Sequence, residues 1–178
     1  MKKWFIFFIL FFSFFLKELS AQEFSAQLLQ KTQSGNFVGK IFVKKDRTRV
    51  EVGDNITITR LDKKVIWILM PNNTYIEHPL TSMSLPFVEE KIFGEIERTF
   101  LEEQEIGGRL TKKYKIVYEV EGKKYTVYQW IDNELKLPLR TESEDGSFLW
   151  EYKNIKVEKQ PDFLFEIPSG YSKFEVNY

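Results

Sequence analysis

From Phe24 onward, apolar and polar residues alternate with a period of two, the spacing that sends successive side chains to opposite faces of a β-strand. The alternation is cut at intervals by turn-forming clusters. Gln33-Ser34-Gly35-Asn36, Lys45-Asp46, Gly53-Asp54-Asn55 and Pro71-Asn72-Asn73 punctuate the first half. The spacing predicts strands over 24–32, 37–43, 47–52, 56–60, 65–70 and 74–78, joined as hairpins in an antiparallel meander. Val65-Ile66-Trp67-Ile68-Leu69-Met70 is apolar on both faces and reads as a central strand. Gly39, inside the second strand, marks a bulge or a close backbone approach.

The pattern resumes further on. Strands are predicted over 96–106, 109–120, 125–131, 135–144 and 147–157, separated by Gly107-Gly108, Glu121-Gly122-Lys123-Lys124, Asp132-Asn133-Glu134 and Asp145-Gly146. The last of these is a two-residue hairpin signal. Residues 161–164 read as one helical turn, and 165–171 as a terminal extended segment. The sum is mainly β: a single curved antiparallel sheet of about ten or eleven strands with a short helical or loop cover.

Between the two runs, residues 79–94 break the period. Pro79, Pro86 and Gly94 punctuate a stretch carrying Leu80, Met83, Leu85, Phe87, Val88, Ile92 and Phe93. This stretch predicts a loop with a short helix near 86–92, covering one end or face of the sheet.

The first residues follow a different rule. Lys2-Lys3, an apolar run over 4–16 broken only by Ser13, and an exit at Ser20-Ala21 have the order of a secretory signal peptide. The apolar run of ~13 residues is short of the ~20 that a membrane-spanning helix needs. We expect cleavage after Ala21, giving a signal peptide over 1–21 and one domain over 22–178; the alternative is an uncleaved N-terminal anchor. No cysteine follows the cut to carry lipid. An exported, periplasmic protein is the expectation.

Composition removes several function classes. Three of the 26 basic and one of the 26 acidic residues lie in the leader, which leaves 23 against 25. A balance this even offers no electrostatic attraction to nucleic acid or anionic lipid. The absence of cysteine excludes disulfides, thiol catalysis and cysteine metal sites, and the single histidine, His78, weakens triad chemistry. Glu89-Glu90 and Glu102-Glu103-Glu105 lack the Asp/Asn/Gly loop of a calcium site and read as solvated charge. No phosphate cradle, nucleophile elbow or cofactor motif is present. We expect no catalytic residues, no metal and no cofactor.

Four stretches together carry a family resemblance. They are Phe24-Ser25-Ala26-Gln27 with Gly39 to Lys44 and Arg49-Val50-Glu51; Asp62 to Pro71 with Tyr75; Tyr128-Gln129-Trp130-Ile131 with Trp150 to Ile155; and Pro161 to Tyr171, in which a Phe-x-x-Pro-x-Gly segment closes the last strand. The set resembles the LolA-like superfamily of periplasmic lipoprotein and lipid carriers. Within it the chain is most similar to a bacterial domain family of unknown function (domain-of-unknown-function family 4412). The resemblance implies an unclosed half-barrel whose concave face is greasy and receives acyl chains; other members carry glycolipids or sense misplaced lipoproteins. Two features depart from LolA: no helix precedes the first strand, and Lys45-Asp46 stands where the lid-locking Arg-Pro would be.

The functional expectation is a non-enzymatic carrier or binder of a hydrophobic ligand, either a lipid or lipoprotein acyl chains, with a transient inner- or outer-membrane receptor. The alternative is an envelope sensor or protein-interaction module on the same frame. Candidate lining residues are Leu80, Met83, Leu85, Phe87, Val88, Ile92 and Phe93 from the cover. From the strands come Trp67, Leu69, Trp130 and Trp150, which would form a greasy wall or ordinary core.

Overall fold

The computed structural model describes residues 23–80 and 88–174. Twelve strands follow one another: β1 (Phe24–Thr32), β2 (Gly35–Lys44), β3 (Arg47–Val52), β4 (Asn55–Arg60), β5 (Val65–Met70), β6 (Thr74–Pro79), β7 (Glu95–Ile106), β8 (Arg109–Val120), β9 (Lys123–Asp132), β10 (Pro138–Ser143), β11 (Leu149–Val157) and β12 (Ser172–Lys173). The twelfth, against an expected ten or eleven, comes from the C-terminal segment, where Ser172 and Lys173 pair in parallel with Thr74 and Tyr75 of β6. A 3-10 turn at Asp162–Phe165 is the helical turn expected near 161–164.

All strands belong to one sheet, ordered β12-β6-β5-β4-β3-β2-β1-β11-β10-β9-β8-β7. Two meanders, β1 to β6 and β7 to β11, are joined by a long-range antiparallel pairing of β1 with β11 that runs from Phe24–Val157 to Lys31–Leu149. The hairpins are closed by tight turns. Gly107 and Gly108 both sit at positive φ (58° and 79°), as a two-residue type I′ turn requires.

This order places β6 and β7 near opposite edges, ten strand spacings apart. On a flat sheet that is about 48 Å. The link from Pro79 to Glu95 would reach only about 55 Å fully stretched, and it is not stretched: residues 88–94 turn, with Glu95 N–H donating to the Ile92 carbonyl at 3.1 Å. The sheet therefore curls, and the link between β6 and β7, here the chord segment, comes onto its inner face over its described residues 88–94. Val88 packs there, against a cluster of Phe24, Ala26, Leu28, Ile41, Val43, Leu137, Leu139 and Tyr152. The Gly107–Gly108 tip also comes beside Leu139 and Tyr152, bounding a cleft of about 600 Å³.

Strand register fixes which residues share the inner face. Ile41, Val50, Thr57, Ile68 and Ile76 stand opposite one another across β2 to β6. Phe100, Tyr114, Gln129, Thr141 and Trp150 do the same across β7 to β11. The outer face of β3 to β6 holds a second cluster, Ile58, Trp67, Leu69 and Phe165, with Leu164, Ile167 and Tyr171 packed against it.

Three expectations need correction. The helix near 86–92 is not formed over 88–92, which is turn and bend; 86 and 87 lie outside the described residues. Asp145-Gly146 does not make a two-residue hairpin. Ser143 N–H donates to the Phe148 carbonyl at 3.0 Å, and the Asp145 carboxylate accepts from Ser147 N–H at 2.9 Å, which widens the turn. The strand expected over 135–144 starts only at Pro138, because the buried Asp132 carboxylate takes the N–H groups of Glu134 (2.8 Å) and Leu135 (2.7 Å) and folds 132–137 into a loop.

Gly39 is a close approach. A Cβ there would lie 2.2 Å from the Glu51 carbonyl oxygen and 2.8 Å from Val52 Cγ2. Gly39→Ala should destabilise the fold by about 1–3 kcal/mol through forced separation of β2 and β3. A thermal melt should show the midpoint several degrees lower; an unchanged midpoint would contradict the close approach.

Candidate functional site

The candidate site is the inner face beneath the chord segment. Its apolar wall is built by alternation: β1 contributes Phe24, Ala26 and Leu28, β2 Ile41 and Val43, and β11 Trp150 and Tyr152, all turned inward by the two-residue period. Tyr152 is wholly buried and meets Phe24 edge-on at 6.3 Å; burial pushes its hydroxyl pKa upward.

One arginine holds the described end of the chord segment. Arg98 of β7 donates from Nη2 to the Glu90 carbonyl at 2.6 Å, and from Nε and Nη2 to the Glu95 carboxylate at 2.8 Å each. Its Nη1 donates to Gln129 Oε1 at 3.2 Å, and its guanidinium lies 5.2 Å from the Tyr114 ring. Glu95 in turn accepts from Ile92 N–H at 3.2 Å. The Arg98 hydrogen bonds hold the Glu95 carboxyl below the usual carboxylate range.

Gln129 is fully buried on the same face. Arginine has only donors, so Gln129 must offer Arg98 its carbonyl oxygen. The amide NH₂ is thereby aimed away from Arg98, and Nε2 finds no acceptor among the described residues. Thr48 Oγ1, also buried, is likewise unpaired. An orphaned buried donor costs about 1–3 kcal/mol. The wall is therefore greasy around the Val88 cluster, with the Arg98–Glu95–Gln129 network and the buried Thr48, Thr59 and Thr141 as its polar points.

The candidate residues do not come together in one place. Trp150 and Val88 come together on the inner cluster. Leu80 and Ile92 are half-buried at the two described ends of the chord segment, with Leu80 N–H donating to the Lys64 carbonyl at 2.9 Å. Met83, Leu85 and Phe87 lie outside the described residues. Phe93 points to solvent. Trp67 and Leu69 sit on the outer face, packed with Phe165. Trp130 is also outer: its Nε1 donates to Gln104 at 2.8 Å, and Lys113 Nζ and Arg140 Cζ each lie 5.0 Å from its ring. The three strand tryptophans do not form one wall.

The outer cluster is held by a row of cations. Lys44 donates to the Gln160 carbonyl (3.1 Å), Arg49 to the Leu164 carbonyl (3.1 Å) and Arg60 to the Phe165 carbonyl (3.1 Å). Arg60 is almost fully buried, pairs with Asp62 through two bonds of 2.8 and 2.6 Å, and also bonds Glu166. The Arg60 hydrogen bonds hold the Asp62 carboxyl at about 2. At Glu166 burial pushes the carboxyl up, but hydrogen bonds from Arg60 and Lys63 outweigh it and the net shift is downward. This clamp fastens residues 160–166 to the outside of the sheet, leaving the inner face to the chord segment.

Arg98 and Gln129 were not singled out from sequence; Ile68 was read only as opposite Trp67, with the inward face of β5 left open. Arg98 had one readable signal: it is the sole basic residue of β7, among five glutamates. Gln129 had none, since its burial depends on the pairing of distant strands.

No protein-family model matches the chain, and no curated protein matches it in sequence. Solved structures match it in fold. MucB is 12% identical with a TM-score of 0.60 over 85% of this chain and 59% of that one. The MucA/MucB complex of Pseudomonas aeruginosa gives 14% identity and a TM-score of 0.56 over 82% of this chain and 56% of the matched one. The chain thus spans less than two thirds of the MucB chains it matches. A LolA superfamily protein, NE2245 from Nitrosomonas europaea, is matched over 82% of this chain and 90% of that chain at 11% identity, with a TM-score of 0.39. At these identities the likeness to MucB establishes a shared fold.

Two outcomes follow from the clamps. Depressed carboxyl pKa values stabilise the fold above about pH 4, and that stability is lost as pH falls toward 2. Arg60→Met should cost about 1–3 kcal/mol at pH 7, at the low end for a buried arginine because Asp62 and Glu166 can rehydrate. It should also flatten the fall of the urea midpoint between pH 4 and 2; an acid limb as steep as that of the parent protein would refute the clamp. Arg98→Leu should speed amide exchange over 89–93 at least tenfold while leaving residues 161–166 unchanged, as read by hydrogen exchange.

Proposed function

We propose that this protein is an exported, non-enzymatic binder of a hydrophobic ligand, a lipid or the acyl chains of a lipoprotein, held on the inner face of the curled sheet. One observation carries the reading: the described end of the link between β6 and β7 meets the apolar cluster of that face through Val88, tethered by Arg98 at Glu90. A wall of this kind needs no hydrogen bonds to retain an acyl chain, since each buried methylene contributes about 0.8 kcal/mol. The lining we propose is Trp150, Val88, Ile92 and Leu80, with Met83, Leu85 and Phe87 from the adjoining segment. Handover would use a transient inner- or outer-membrane receptor, and the location would be the periplasm.

A second reading is an envelope sensor or interaction module. The fold likeness to MucB, a protein whose structure is known in complex with MucA, favours it. The two readings differ in what the inner face holds.

Native mass spectrometry of gently purified protein should show a lipid adduct, and a fluorescent C16 fatty acid should bind. Trp150→Ala should weaken that binding at least fivefold, whereas Phe163→Ala, on an exposed outer position, should leave it unchanged. A protein that is reproducibly empty and takes up no fatty acid would overturn the ligand reading.

A further inference from the structure

The two edges of the sheet are treated differently. At one edge β12 covers the start of β6, and Phe174 N–H donates to the Tyr75 carbonyl at 2.8 Å. At the other, β7 runs for twelve residues with no strand beside it among the described residues. The turn Gly107–Gly108 closes on Ile106 and Arg109 as a hydrogen-bonded pair. Alternation then leaves the main-chain N–H and C=O of Glu105 and Glu103 pointing away from β8. An open edge of this length is a template for another strand.

Its side chains are selective. The edge and its surroundings expose Phe93 (62%), Ile96 (55%), Phe100 (51%), Leu101 (43%) and Leu110 (52%), five of the eleven exposed large apolar residues among those described. Interleaved with them are Glu95, Glu97, Glu102, Glu103 and Glu105 against the single Arg98, a net charge of −4 on the strand. Glu95 is taken by Arg98, and Glu102 reaches Lys113 at 3.4 Å. Glu103 and Glu105 have no ion pair among the described residues, and they project to the same side as Phe100, because their partners Lys112, Leu110 and Tyr114 alternate along β8. A second copy of this chain would bring five glutamates against five. Like charges directly opposite one another across a ladder are destabilising.

We propose that β7 is a docking edge for an extended, basic segment of another protein, added as a thirteenth, antiparallel strand. Main-chain bonds from residues 103 and 105 hold the segment, and alternate Lys or Arg side chains face Glu103 and Glu105. The proposal does not require a ligand on the inner face, whose rim Glu103 and Glu105 form.

The test uses the whole chain and a fluorescein-labelled, end-capped decapeptide of alternating lysine and valine, with an alternating glutamate–valine decapeptide as control. Fluorescence anisotropy should show the lysine peptide binding at least tenfold more tightly than the control. Amide exchange should slow at Glu103 and Glu105 and stay unchanged along β6. The double variant Glu103→Lys with Glu105→Lys should lose at least tenfold of that affinity. Glu103→Pro, which removes an outward donor and no bond to β8, should lose it with the urea midpoint held near that of the parent protein; should that variant fail to fold, the lysine pair still decides. Equal binding of the two peptides, protection at β6 in place of β7, or a dimer of the unliganded chain paired through β7 would each overturn the proposal.

Discussion

Everything about the inner face depends on the pairing of β1 with β11. Hairpins alone would give two separate ribbons, each exposing an apolar surface. Joining them through a register from Phe24–Val157 to Lys31–Leu149 makes one sheet and leaves β6 and β7 near its far edges. The connection between those strands is too short for a flat sheet, so the sheet curls, and residues 88–94 reach its inner face. The core follows from the curl: Leu28, Ile41 and Leu139, contributed by three strands, become fully buried in one cluster. Pairings of such high sequence separation carry a large loop-closure cost, which the cluster at their junction offsets.

The two faces are then held by different physics. The inner face is sealed by apolar contact and one arginine network, with Gln129 left a donor short. The outer face divides. Over β3 to β6 the C-terminal segment is fastened by Lys44, Arg49 and Arg60 onto Trp67 and Phe165. Over β7 to β11 the outer row reads Glu102, Lys113, Trp130, Arg140 and Glu151, an alternation of charge around a single indole stacked between cations. The C-terminal segment is bound by many charge-assisted bonds, while among the described residues 88–94 only Glu90 bonds Arg98 directly and Ile92 bonds it through Glu95. At its far end the segment joins β8, the Gly94 carbonyl accepting from Glu119 N–H at 2.9 Å.

Much of the fold was legible because turn chemistry is local. β1, β3, β5 and β8 begin and end where Gly, Asn, Asp and Pro clusters place them. The long-range order was not legible, since nothing in the 24–32 stretch announces 149–157 as its partner. Sidedness failed for a specific reason in β5: Val65-Ile66-Trp67-Ile68-Leu69-Met70 is apolar at every position, so alternation carries no information about which face is inward. Register places Ile68 inside and Trp67 outside. Trp130 failed differently. It alternates correctly as an outward residue, but its burial by Lys113 and Arg140 stems makes an outer position look like core. Trp150 alternates with Tyr152 along β11, so its side could be read, whereas Val88 stands in a stretch that breaks the period and its side could not.

The sidedness of the tryptophans offers the most direct test of the account. With the protein labelled by 5-fluorotryptophan, a stearate carrying a nitroxide along its chain would be titrated in and the fluorine resonances followed. The account predicts that Trp150 broadens strongly while Trp67 and Trp130 keep their linewidths. Broadening of Trp67 or Trp130 with Trp150 unaffected would place the guest on the outer face and contradict it.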